Sequence, residues 1–191
     1  MSVAFWYCFA TKWLRPLLES RKVSKPHTHA CSVARFLNLF GDAWTWLVVR
    51  EAFYGATRFT EFQRNTGIAR NLLSERLRKL VDAGILDRED VGERGTRYAY
   101  RLTEKGRALL PVLVAMVQWS NRELYGAGAE PVLLVDRATG LELAELAPRA
   151  ADGEALAWGS VAAQPGPGAD RAARERIAAA HSSALGLEAG D

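Results

Sequence analysis

Asn71, Ser74 and Arg78 stand three and four residues apart in the run RNLLSERLRKL. At that spacing their side chains point the same way from an α-helix. Their chemistry is hydrogen bonding: a guanidinium fork, a carboxamide and a hydroxyl. Such groups fit the edges of base pairs. Arginine can grip guanine through two bonds and asparagine can do the same with adenine, in a major groove roughly 12 Å wide that admits a helix. Arg70 and Glu75 sit at the edge of this polar face. Arg64 and Arg70 flank the turn before it, where cations can hold phosphates. Arg94 and Arg97 follow it and can bind phosphates or enter the minor groove. The same residues could instead form an ordinary solvated helix face and an exposed turn tip, in a module that holds a protein partner and does not read DNA.

Cys31 is the other reactive side chain. A thiol at a helix N-terminus has its thiolate favoured by the helix dipole, and Arg35 follows four residues later. The alternative is a small buried apolar residue. No catalytic constellation is evident: there is no HExxH, no GxSxG turn and no glycine-rich phosphate loop after a strand. His27, His29 and Cys31 could in principle approach a metal, but they read as linker, and no metal or other cofactor is assigned. The chain reads as a binding protein and not as an enzyme.

The elements that must position these groups follow from periodicity and punctuation. Ser32 is a candidate N-cap for a helix through Phe40, ended by Gly41. Asp42 can cap a second helix that Gly55 ends. Thr60 and Glu61 start a third. Asn71 to Ala83 gives a helix of about 13 residues, about 20 Å long. Leu72, Leu73, Leu77, Leu80 and Val81 form its apolar face and Gly84 stops it. Ile85–Asp90 and Arg97–Leu102 read as antiparallel strands joined by a Gly92–Gly95 tip, with Tyr98, Tyr100 and Leu102 alternating against Ala99 and Arg101. Thr103 and Glu104 open one long helix to about Tyr125, kinked at Pro111. Its apolar residues cover nearly two faces, and the second has no partner in so small a domain, which predicts a homodimer.

The chain has 191 residues and a net charge of +3. That sum hides an asymmetry. Residues 1–30 carry five Lys/Arg against one Glu, residues 31–125 fifteen against eleven, and residues 126–191 five against ten. A basic front with an acidic tail suits a polyanion binder. Two cysteines cannot build a disulfide framework, and no apolar run reaches the roughly 18 to 20 residues of a membrane span, so a cytoplasmic location is expected. Residues 1–30 form a leader rich in aromatics that reads as an extra packing helix, a membrane-surface helix or a dispensable extension. Residues 126–191 read as a small acidic appendage: a hairpin around Asp136–Gly140, a Pro/Gly linker at 165–168 and a terminal helix.

The combined order is more specific than any one piece. CSVARFLNLFGDAW (31–44), LVVREAFYGATRFTEFQR (47–64), LLSERLRKLVDAGIL (72–86) and YAYRLTEKGRALLPVLVAMVQW (98–119) together resemble the HxlR-type winged helix-turn-helix transcription regulators, relatives of the MarR group, over residues 31–124. The resemblance implies a mainly α fold with a small β-wing and a homodimer that binds double-stranded DNA. It places Asn71, Ser74 and Arg78 on the DNA-facing side. It also implies that a cysteine near the first helix, here Cys31, can sense oxidants or electrophiles, or that a small ligand modulates binding. The wing departs from the family pattern, with Gly95 and Thr96 in place of prolines and Ala99 at an acidic position. Ala43 stands where many members have a basic residue. The tail holds no cysteine for the zinc-ribbon-like unit of some members.

Overall fold

The computed structural model describes residues 26–92 and 97–187, with side chains to residue 180. Most of the leader, Cys8 and the wing tip with Arg94 lie outside the described residues. Helix α1 (Ser32–Phe40) begins after Cys31, which takes the N-cap position without a side-chain cap bond, so the cap expected at Ser32 moves back by one residue. The expected cap of α2 (Ala43–Phe53) is present: the Asp42 carboxylate accepts from the Thr45 N–H at 2.9 Å. Gly55, at φ 98°, turns the chain after Tyr54.

Helix α3 (Phe59–Thr66) starts one residue before the expected Thr60. Glu61 folds back to accept from the N–H groups of Thr57 and Arg58 at 2.8 and 2.9 Å, satisfying donors that the helix itself cannot. Gly67, at φ 69°, closes it, and α4 (Arg70–Asp82) follows three residues later. Leu73, Leu77 and Leu80 of α4 are at most 1% exposed. Each such side chain contributes roughly 1.5–3 kcal/mol by leaving water. They join Val48, Val49, Phe62, Ile68 and Tyr100 in a single core, with α2 packed against α3, α4 and the wing.

Strands β1 (Leu86–Asp90) and β2 (Tyr98–Leu102) pair antiparallel, Leu86 opposite Leu102 and Asp90 opposite Tyr98. The strict alternation expected in β2 fails at Ala99, which is buried beside buried Tyr100. The cause is a short extended segment that the sequence does not announce. Arg58 bridges Ala99, and the Tyr100 N–H donates to Thr57 O at 2.7 Å, so β2 is flanked on both edges.

The single kinked helix expected over 103–125 is three pieces: α5 (Glu104–Arg107), α6 (Leu110–Ser120) and a π-helical turn over Asn121–Tyr125. The break falls at Ala108–Leu109, ahead of Pro111. Proline has no N–H to donate back and its ring crowds the preceding turn, so the chain restarts a helix with Pro111 in its first turn, where the missing donor costs nothing. Beyond Tyr125 the expected hairpin is reduced to one bridge, Val135 to Glu142, around a turn at Asp136–Gly140. The stretch clasps α6: Gln118 donates to Ala144 O and accepts from the Leu146 N–H, both at 2.9 Å, Asn121 donates to Val132 O, and Arg122 pairs with Glu145. The last helix among the described residues is α7 (Arg171–Leu187), with Ala173 buried.

Candidate nucleic-acid interface

Burial of Leu73, Leu77 and Leu80 turns the opposite side of α4 outward. Arg70, Asn71, Ser74 and Arg78 are all exposed there. Asn71 and Arg78 have no side-chain hydrogen-bond partner among the described residues. The Ser74 hydroxyl donates to Arg70 O at 3.0 Å, which leaves its oxygen free to accept. The Arg70 guanidinium lies 5.3 Å from the Phe59 ring centroid, a cation–π contact that leads it back across the start of α3.

The pose of α4 is fixed by a group that sequence reading assigned only half its role. Asp42 caps α2 and also accepts from Arg76 Nε of α4 at 2.9 Å, with Lys79 Nζ at 3.7 Å. The Thr45 hydroxyl donates to the same carboxylate at 2.6 Å. Partial burial pushes the Asp42 carboxyl up, but the Thr45 hydrogen bonds, Arg76 and Lys79 outweigh it and hold it below the usual carboxylate range. The Asp-x-x-Thr spacing announces the cap. Nothing local announces a partner 34 residues away.

Arg64, in the last turn of α3, is exposed and bonds through Nε to Asn65 Oδ1 at 3.3 Å. Arg97 is exposed at the base of the wing, its N–H donating to Asp90 Oδ1 at 3.3 Å. Arg94 lies outside the described residues. The structure thus sets Arg64 on α3 and Arg70, Asn71, Ser74 and Arg78 on α4, all exposed, with Arg97 on the wing. Arg58 joins them as an exposed cation between α3 and the sheet, missed because its place depends on the bridge to Ala99.

Cys31 sits apart, at the start of α1. The N–H of Ala34 lowers its thiol pKa, burial opposes that, and the N–H of Val33 and the Arg176 guanidinium of α7 lower it further, leaving it below the ordinary value. Among the described residues no group of three His, Cys, Asp or Glu could hold a metal ion, and no helix is long and apolar enough to cross a membrane.

Residues 39–126 match the HxlR-like helix-turn-helix family. An uncharacterized HTH-type transcriptional regulator of Mycobacterium tuberculosis is 39% identical over 137 residues, spanning 72% of this chain and 87% of that protein. The chain belongs to the HxlR-like family. It is an HTH-type transcriptional regulator, a class that implies DNA binding, and not an enzyme. The fold agrees. The crystal structure of PA1607 superposes at TM-score 0.67 with 43% identity over 72% of this chain and 96% of that one. A second, PA1374 from Pseudomonas aeruginosa, superposes at 0.57 with 38% identity over 76% and 99%.

Proposed function

We propose that residues 31–125 form a homodimeric unit that reads a specific DNA sequence with α4, and that a thiol modification at Cys31 or a small ligand modulates its affinity. The observation that carries this reading is the two-sidedness of α4. One side is sealed into the core, so Asn71, Ser74 and Arg78 are presented on the exposed side of a rigid helix, Asn71 and Arg78 without a side-chain partner among the described residues and the Ser74 oxygen free to accept. Arg78 and Asn71 are seven residues apart, about 10 Å along the axis, a span that reaches roughly three base steps of about 3.4 Å each. Arg64, Arg70 and, on the wing, Arg94 and Arg97 supply the phosphate contacts that fix register without reading sequence. Residues 126–191 serve as an acidic appendage to this unit.

The test begins by selecting a binding site from random duplex DNA with the wild-type protein. Arg78→Ala is then expected to lose about 1–3 kcal/mol of affinity for that site and to relax preference at one position. Arg97→Ala should weaken all sequences alike and flatten the salt dependence, because a phosphate contact releases counterions whatever the base. Unchanged affinity and preference in Arg78→Ala would remove Arg78 from the reading set. Failure to enrich any sequence would overturn the reading altogether.

A further inference from the structure

Glu51 is a charged side chain in the core, 5% exposed near the C-terminal end of α2. Burying a carboxylate is costly unless its oxygens are bonded, and both are. Oε1 accepts from Arg50 Nε and Nη2 at 3.0 and 2.7 Å. Oε2 accepts from Asn65 Nδ2 at 2.8 Å, across fourteen residues of chain. Asn65 in turn accepts from Arg64 Nε. We propose that Glu51 is a positioning residue for DNA binding: through Asn65 it orients the guanidinium of Arg64 toward a backbone phosphate.

The reason lies in what each group can do. A carboxylate only accepts, so it compels Asn65 to turn its NH2 inward, and the carbonyl Oδ1 must then face Arg64. Arg64 only donates, so this is the one amide orientation it can use. With Nε held by Oδ1, the two terminal nitrogens of Arg64 have no hydrogen-bond partner among the described residues. They form the outer edge of a planar fork, the shape that suits a phosphate. Arg64 sits in the last turn of α3, six residues before α4 begins at Arg70. Without Glu51 the amide can flip, point its NH2 at Arg64 and leave the fork unaligned.

The inference rests on Arg64 being a phosphate contact, and its test separates the two. Glu51→Gln keeps shape but can present a donor as well as an acceptor to Asn65. Measured on the selected duplex, it is expected to lower affinity several-fold and to make the salt dependence shallower by about one counterion. The same substitution in an Arg64→Ala background should cause little further loss, since its target is gone. Equal fold-losses in both backgrounds would overturn the proposal and leave Glu51 a structural residue only. If Glu51→Gln unfolds, exposed Asn65→Ala run through the same cycle decides the matter. A normal salt dependence in Arg64→Ala alone also overturns it, while the reading of α4 then stands or falls separately on Arg78.

Discussion

At the scale of single residues, electrostatics sets two measurable expectations. The Cys31 thiol is held below its ordinary range, chiefly by the N–H of Ala34, so its reaction with iodoacetamide in a Cys8→Ser background should rise with pH around a midpoint below the roughly 8.5 of a free cysteine. A midpoint at or above that value would show that the helix start does not activate it. If Cys31 is also the sensor, Cys31→Ser abolishes the effect of an oxidant on DNA affinity. Asp42 gives the second expectation. Its folded-state pKa is depressed, so the stability it contributes is complete above the unfolded value of about 3.9 and is lost as pH falls through the lower folded value. Asp42→Ala should cost about 0.5–2 kcal/mol as a lost cap at neutral pH, with the deficit shrinking on acidification. A deficit that is constant from neutral pH down to strong acid, in urea melts, would mean the carboxylate does not titrate as argued.

At the scale of elements, the sequence was legible wherever the determinant was local. Asp42 as a cap, the glycine stops at Gly41 and Gly84, and the apolar face of α4 all rest on neighbours within one or two turns. The polar set Asn71, Ser74 and Arg78 was legible for the same reason: the face opposite a leucine stripe is solvent. What was hidden depends on tertiary partners. Ala99 is buried because Arg58 pairs beside it, and the Asp42–Arg76 and Glu51–Asn65 contacts span chain separations that no periodicity encodes. The helix break before Pro111 has a local cause that was assigned to the wrong place. A related packing constraint acts at α5. Thr103 caps that helix through the Gly106 N–H at 2.9 Å and donates to Gly84 O at 2.7 Å, which draws α5 against the end of α4. A Cβ on Gly106 would overlap the Ile85 carbonyl oxygen. Gly106→Ala is therefore expected to destabilise by about 1–3 kcal/mol, since backbone must shift to admit it. A melting temperature unchanged or raised, as helix propensity alone would give, would show that the contact relaxes freely.

At the scale of the whole molecule, the described residues leave apolar stripes in water. Leu113 and Val114 of α6 are buried, whereas Val112, Met116 and Trp119 are 38, 42 and 54% exposed. Their spacing of four and three residues puts them on one stripe. Val33 and Leu37, 66 and 45% exposed, form a second stripe on α1. A contiguous stripe of this kind marks an association surface more often than it persists in a monomer. A second copy is the occupant we propose, because a twofold pair would also set two α4 helices on successive faces of a duplex, about 34–36 Å apart. The clasp of Gln118, at the end of α6, and of Asn121 and Arg122, in the turn after it, on residues 132–146 uses none of the stripe's three side chains. Placing charge on the stripe with Met116→Glu and Trp119→Glu together should convert dimer to monomer in sedimentation equilibrium while leaving helix content intact, because both side chains are already half in water. DNA affinity for a two-half-site duplex should then fall at least tenfold, as each α4 must bind without the other's help, while affinity for a single half-site should barely change. A double variant that remains dimeric would place the interface elsewhere, and one that turns monomeric yet keeps full affinity for the paired site would show that the two readers do not act together.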